Sequence, residues 1–190
     1  MSILRLVLAI ATIRLLSRAF RVFSWIAIAL ALVAFGTVTV HGPDRAARYP
    51  AITVQRWTDG DTLHATGGLR IRLIGIDAPE ASPSERARSQ ARRLGVSVEE
   101  IVRLGQAARR FSESLAPAGT TLYLERDVQP TDRYGRTLAY LWTTDGRLVQ
   151  EEILKAGWAD LLTIPPNVRY TERLRSAWRE ARENHRGMWR

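Results

Sequence analysis

No cysteine occurs among the 190 residues. That absence excludes disulfides, thiolate nucleophiles and cysteine-ligated zinc or iron–sulfur centres. Histidine is scarce: His41, His64 and His185 lie far apart, without HExxH or HxH spacing, so a histidine metal cluster is not expected. Any metal should then be held by carboxylate and carbonyl oxygens, the donors that suit calcium or magnesium. Lysine is nearly missing as well. Lys155 is the one lysine among 28 basic residues. The first 41 residues lack acids altogether and carry four arginines, which leaves 24 basic and 19 acidic residues beyond them, a net +5. A moderately basic globular part favours a polyanionic partner.

Charge of either sign is also missing from Val22 to Val40, a run of 19 residues. As a helix this run would span ~28 Å, close to the ~30 Å of a hydrocarbon core. Arg14, Arg18 and Arg21 precede it at i, i+4 and i+7 within a Leu-, Ile- and Ala-rich segment, the pattern of an amphipathic helix on an anionic membrane face. Only Arg45 and Arg48 closely follow the run, so the N-terminus is expected inside and the remainder exported. A single-pass membrane anchor over residues 1–41 is the expectation. The competing reading is a cleavable signal peptide using the small residues at 29–31, which would make the protein secreted. Residues 42–50, with a proline at Pro43 and another at Pro50, read as a linker to a domain at 51–190.

Within that domain, "AITVQRWT" (51–58), "LHAT" (63–66), "LRIRLIGI" (69–76), "TTLYLERD" (120–127) and "RTLAYLWT" (136–143) read as strands. Residues 84–117 are helical in character, interrupted near Gly95 and Gly105. Two further helices are expected, from Leu148 to Ala156 and from Val168 to Arg186. Five short strands with a helix after the third fit a small α+β domain built on a partly open Greek-key barrel.

Three stretches carry chemistry. "DGDT" (59–62) is a turn, and Asp61 could be no more than a turn former. In "IRLIGIDAPE" (71–80) an apolar strand runs into a proline turn that holds Asp77 and Glu80 three residues apart. Strict alternation puts Arg72 on the face opposite Asp77. Both can serve one site only if the strand coils or bulges first, and Gly75 is where that costs least. An edge-strand arginine reaching water is the alternative. In "TDRYGRTLAY" (131–140), Arg136 opens a strand beside Asp132, Arg133 and Tyr134. Two guanidinium forks, from Arg72 and Arg136, could clamp the oxygens of a phosphoryl group.

These motifs, in this order and at these separations, resemble the staphylococcal nuclease (thermonuclease) family. The likeness extends through "LVQEEILKAGWA", "PPN" and the C-terminal "HRGMW", over roughly residues 51–190. The resemblance implies a five-stranded OB-fold-type Greek-key β-barrel with three helices. It implies that Asp61 and Asp77, with the backbone carbonyl of Ala78, ligate calcium, and that Glu80 positions or deprotonates the attacking water. Arg72 and Arg136 would hold the scissile phosphate and stabilise its developing charge, while Tyr134 and Arg133 would contact the nucleotide. The implied protein is a calcium-dependent nuclease acting on DNA, RNA or both, leaving 3′-phosphate ends. It is expected to be monomeric and to work without a protein partner. A tethered, non-catalytic nucleic-acid-binding barrel is the alternative. Two departures stand out. Leu162 and Ile164 lie where the best-known member has base-packing tyrosines. The segment after Glu80 is longer and holds Arg86, Arg88, Arg92, Arg93 and Arg103, expected to form a solvated helix face.

Overall fold

The computed structural model describes residues 48–190. The expected membrane anchor over 1–41, and all but the end of the 42–50 linker, lie outside the described residues. Among the described residues no helix is long and apolar enough to cross a membrane.

The chain opens with β1 (Ala51–Asp59), β2 (Thr62–Ala65), β3 (Arg70–Leu73) and the three-residue β4 (Gly75–Asp77). Helices α1 (Glu85–Leu94) and α2 (Val98–Leu115) follow, then β5 (Thr121–Glu125) and β6 (Thr137–Trp142). Helix α3 (Val149–Lys155), strand β7 (Asp160–Leu162) and helix α4 (Thr171–Glu183) complete the order. Five strands form a closed barrel in the order β1-β2-β3-β6-β5. The expected barrel is therefore present, but it is closed rather than partly open. Closure comes from β1 pairing antiparallel with β5, with Ile52 opposite Leu122. The one parallel pairing in the barrel joins β3 to β6 and sets Arg72 beside Leu138.

The strands form because their apolar residues can all be buried together. Leu63, Ile71, Leu73, Leu122 and Leu141 are essentially inaccessible inside the barrel. Burying each stabilises the fold by roughly 1.5–3 kcal/mol. Leu148, Ile153 and Leu154 from α3 and Leu174 from α4 extend the same core outside the barrel wall.

Three further expectations need correction. The stretch 69–76 is not one strand. It breaks between β3 and β4, and Gly75 sits at φ 87°, where a Cβ would also lie 2.4 Å from Leu174 Cδ1. The short β4 then pairs antiparallel with β7, an unexpected strand, with Asp77 opposite Asp160. Residues 84–117 are two helices, so the described residues hold four α-helices rather than three. Helix α1 is capped by the Ser84 hydroxyl, which accepts from Ala87 N at 3.0 Å, and ends at Gly95; α2 is capped by Ser97, which accepts from Glu100 N at 3.1 Å. Each serine satisfies an orphan helical N–H, so a second helix starts as soon as the first has closed.

The expected interruption at Gly105 does not occur. Gly105 lies within α2, where a Cβ would meet the Glu80 carbonyl oxygen at 2.2 Å. The next turns of α2 hold the other acidic turn, because Ser112 Oγ donates to Gly60 O at 2.8 Å. One small-residue face of α2 thus fixes two loops that carry carboxylates.

Candidate active site

Four acids and three guanidiniums meet where β1, the β4 end and α1 converge. Asp61 leaves the turn after β1 almost fully buried. Its Oδ2 accepts from Ala78 N at 2.6 Å and lies 3.2 Å from Arg72 Nη1; its Oδ1 accepts from the Thr62 hydroxyl at 3.0 Å. This carboxylate therefore ties the β1 turn to the β4 turn across 17 positions of sequence.

Arg72 sits between Asp61 and Asp77. Its Nη1 donates to the carbonyls of Leu73 at 3.0 Å and Ile76 at 2.8 Å, and its Nη2 donates to Asp77 Oδ1 at 3.2 Å. The side chain is only 7% exposed, so it does not reach water as an edge residue. The break at Gly75 is what lets Arg72 and Asp77 share one site. With regular pleating they would lie on opposite faces.

Asp77 has two further cationic neighbours, both from α1. Arg86 Nη2 makes a close hydrogen bond to Asp77 Oδ1, and Arg93 Nη2 approaches Oδ2 at 3.5 Å. Arg86 also pairs through Nε with Glu80 Oε1 at 2.9 Å. The expected solvated face therefore holds for Arg88 and Arg103, which pair with Glu85 and Glu100 three positions back, but fails for Arg86 and Arg93.

Glu80 is half-buried at the mouth. Its carboxyl is pushed above the usual range first by burial and then by the negative charges of Asp59, Asp61 and Asp77, with Arg86 acting in the opposite sense. Asp59 is raised for similar reasons, burial first, while the Ala81 N–H that it accepts at 3.1 Å lowers it. A carboxylate shifted in this direction is a stronger base than an ordinary one, which suits general-base work.

Across the mouth, Arg136 is held by Asp132. Arg136 Nε donates to Asp132 Oδ2 at 2.7 Å, while the backbone N–H groups of Tyr134 and Arg136 donate to Oδ1 at 2.9 and 3.0 Å. Burial works against the Asp132 charge, but these hydrogen bonds outweigh it and depress its pKa. The Tyr134 ring is exposed, with the guanidinium of Arg133 stacked at 4.9 Å and that of Arg136 at 5.6 Å from its centroid. The Arg133 Nη2 donates to the Tyr134 hydroxyl at 2.7 Å. Asp59, Asp61, Glu80, Arg72, Arg86 and Arg136 line one hollow. Arg72, Arg86, Tyr134 and Arg136 also border an adjoining, more apolar groove that reaches Leu162 and Ile164.

Of the eight residues singled out in the sequence, Asp61, Arg72, Glu80, Tyr134 and Arg136 line the hollow and Arg133 the adjoining groove, while Asp77 and Ala78 lie buried behind it. The residues missed are on α1 and in two turns. Gln90 is buried, accepts from Glu80 N at 3.0 Å and donates to Ala78 O at 3.1 Å, locking the DAPE turn. Arg86, Gln90 and Arg93 stand at i, i+4 and i+7, a single-face spacing that could have distinguished them from the remaining arginines. Asp59 and Asp132 each form a turn and also hold a site element.

Carboxylates and guanidiniums, Arg70 among them, share the hollow. Among the described residues no three carboxylates or imidazoles are already gathered around one point fit for a metal ion. The Asp61 and Asp77 carboxylates and the Ala78 carbonyl, which keeps one lone pair beyond its Gln90 bond, are hard ligands of the type a calcium ion takes. The Asp61 carboxylate and the turn that carries Asp77 and Ala78 are tied together by the Ala78 N–H to Asp61 bond, so these oxygens lie close and the residues present fit such a group.

The molecule is thus a closed OB-type barrel with carboxylates at one strand end and arginines facing them across a groove. Comparison with known proteins gives the family. The family described as "Staphylococcal nuclease homologue" matches residues 70–190, and the chain belongs to it. The chain is 29% identical over 171 residues to a thermonuclease of Staphylococcus intermedius, covering 86% of this chain and 93% of that protein. It is 27% identical over 169 residues to the thermonuclease of Staphylococcus hyicus, covering 85% and 91% respectively. The SPbeta prophage-derived endonuclease YokF of Bacillus subtilis is 30% identical over 143 residues, which are 73% of this chain and 43% of that protein.

Proposed function

We propose that the protein is a calcium-dependent nuclease that hydrolyses phosphodiester bonds of DNA, RNA or both. The observation that carries this reading is the placement of Glu80 beside a buried Asp61–Arg72–Asp77 cluster, with Arg136 held across the same mouth. Family membership and the names of its relatives support it.

In this reading Asp61, Asp77 and the Ala78 carbonyl hold the cation. When bound, the ion supplies positive charge at the phosphoryl oxygens. The Glu80 carboxylate accepts a proton from a water as its oxygen bonds to phosphorus. The bond from phosphorus to the 5′ oxygen breaks, leaving a 3′-phosphate, and the leaving oxygen takes a proton from solvent. Arg136, oriented by Asp132, pairs with non-bridging oxygens, and Arg72 adds a fixed charge from the wall; both favour the more charged transition state. Tyr134 and Arg133 flank the path of the nucleotide, and Leu162 and Ile164 offer an apolar surface to the base without aromatic stacking.

The uncharged run at 22–40 and the four arginines before it support a single-pass anchor with the N-terminus cytoplasmic and the barrel outside. The enzyme acts as a monomer there, where calcium is plentiful.

Cleavage of single-stranded DNA, duplex DNA and RNA by the detergent-solubilised chain, in calcium, magnesium or chelator, with end-group analysis of the fragments, tests the activity. Calcium-dependent cutting with 3′-phosphate ends is expected. Equal cutting in chelator would remove the metal from the reading. Protease accessibility in intact cells tests the topology, with the barrel digested from outside.

A further inference from the structure

The three arginines around Asp77 are not equivalent. Arg72 is buried and anchored on two backbone carbonyls. Arg86 has a side chain 43% exposed, starts from the first turn of α1, and its polar partners are the Asp77 and Glu80 carboxylates alone. Arg93 is still more exposed and reaches Asp77 only at 3.5 Å.

Lone pairs sharpen the contrast. Each carboxylate oxygen has two acceptor positions. Asp77 Oδ1 uses both, one for Arg72 Nη2 and one for Arg86 Nη2. A cation taking that oxygen must displace one of the two guanidiniums. Arg72 would have to abandon two buried carbonyls, leaving unsatisfied groups in a dry wall. Arg86 can swing into water or into the adjoining groove, which it already borders. The charges agree with this exchange. Counting Arg70 and Arg136, which line the same hollow, Asp59, Asp61, Asp77 and Glu80 face five guanidiniums, so a divalent ion added without release of Arg86 raises a local charge that is already positive.

We infer that Arg86 is an exchangeable counter-cation of the site: it holds Asp77 and Glu80 while no divalent ion is bound, and gives them up when one binds. It is a positioning residue that competes with the metal. This inference rests on the proposed reading that Asp61, Asp77 and the Ala78 carbonyl hold a divalent cation.

Calorimetric titration of calcium into the detergent-solubilised full chain tests it, using wild type, Arg86→Gln, Arg93→Gln and, as a control outside the cluster, Arg88→Gln. Arg86→Gln is expected to bind calcium about five- to tenfold more tightly, the effect of removing one partly screened positive charge at contact distance. Arg93→Gln should gain about twofold, and Arg88→Gln should match wild type. In chelator Arg86→Gln should melt below wild type, and calcium should close the gap. A gain in affinity is a readout that general structural damage does not produce. If Arg86→Gln fails to fold, Arg86→Lys carries the test, with about twofold tighter binding expected because it loses the fork that joins Asp77 to Glu80. Calcium affinity equal to or weaker than wild type in the folded variant overturns the Arg86 assignment alone. Absence of binding in wild type and variant alike removes the metal reading and overturns the inference with it.

Discussion

Two buried acidic groups in this barrel have opposite surroundings. Glu125, at the end of β5, is 2% exposed and fully satisfied: Trp142 Nε1 donates at 2.8 Å, the Tyr170 hydroxyl at 2.9 and 3.1 Å, and Arg169 Nη1 at 2.5 Å. Burial acts against its charge, but hydrogen bonds from Tyr49, Arg169, Trp142 and Tyr170 outweigh that and depress its pKa. At the mouth, four carboxylates crowd together, and both Asp59 and Glu80 are pushed up, burial first and like charge next. One acid with a donor for each acceptor position is a staple. Several acids with too few donors are a place for a cation or a proton. The distinction lies in the balance of donors to acceptors, not in burial.

Substitutions at the two places should therefore separate activity from stability. The largest effect is expected from Glu80→Gln, which should cut phosphodiester cleavage by about 10²–10⁴-fold. The same change relieves like-charge repulsion, so the melting temperature in chelator should hold or rise. A fall in both would make Glu80 a structural residue. Glu125→Gln should do the reverse, losing about 2 kcal/mol by denaturant titration while the folded fraction keeps its turnover.

Gly105→Ala comes next, because its methyl would press on the Glu80 carbonyl. It should cost about 1–3 kcal/mol and lower turnover too, since the backbone that carries Glu80 must shift. An unchanged turnover would detach α2 from the site. The smallest stability effect belongs to Asp132→Asn, up to about 1 kcal/mol for a partly exposed pair. The depressed pKa of Asp132 means that its contribution is complete above the ordinary carboxylate range and is lost as pH falls through the lowered value. The stability gap between wild type and Asp132→Asn should accordingly close on acidification. At neutral pH the variant should also lose about tenfold in kcat/KM as Arg136 loses its orientation.

The barrel was legible because its strands alternate and its turns contain Gly, Pro and Asp at the expected places. The side-chain cluster was legible because Asp61, Arg72, Asp77, Glu80 and Arg136 lie in three short motifs that the fold brings to one place. What escaped depends on contacts distant in sequence. Strand β7 exists through its pairing with β4, and nothing within "DLL" requires it. Helix α1 reads as a charged surface helix, and only the turn it packs against shows which of its arginines face acids. The break at Gly75 could be anticipated, because Arg72 and Asp77 could not otherwise meet. The fusion of 98–115 through Gly105 could not, since it depends on the backbone of Glu80 lying against the helix.

The measurement that bears most directly on the account is cleavage of a labelled single-stranded oligonucleotide by the full chain in calcium, with wild type beside Glu80→Gln and binding followed in parallel. Cutting by wild type that falls by at least two orders of magnitude in the variant, with binding retained, is the predicted result. Binding without cutting by either protein would contradict it, and would make the crowded carboxylates part of a nucleic-acid-binding barrel with no hydrolytic role.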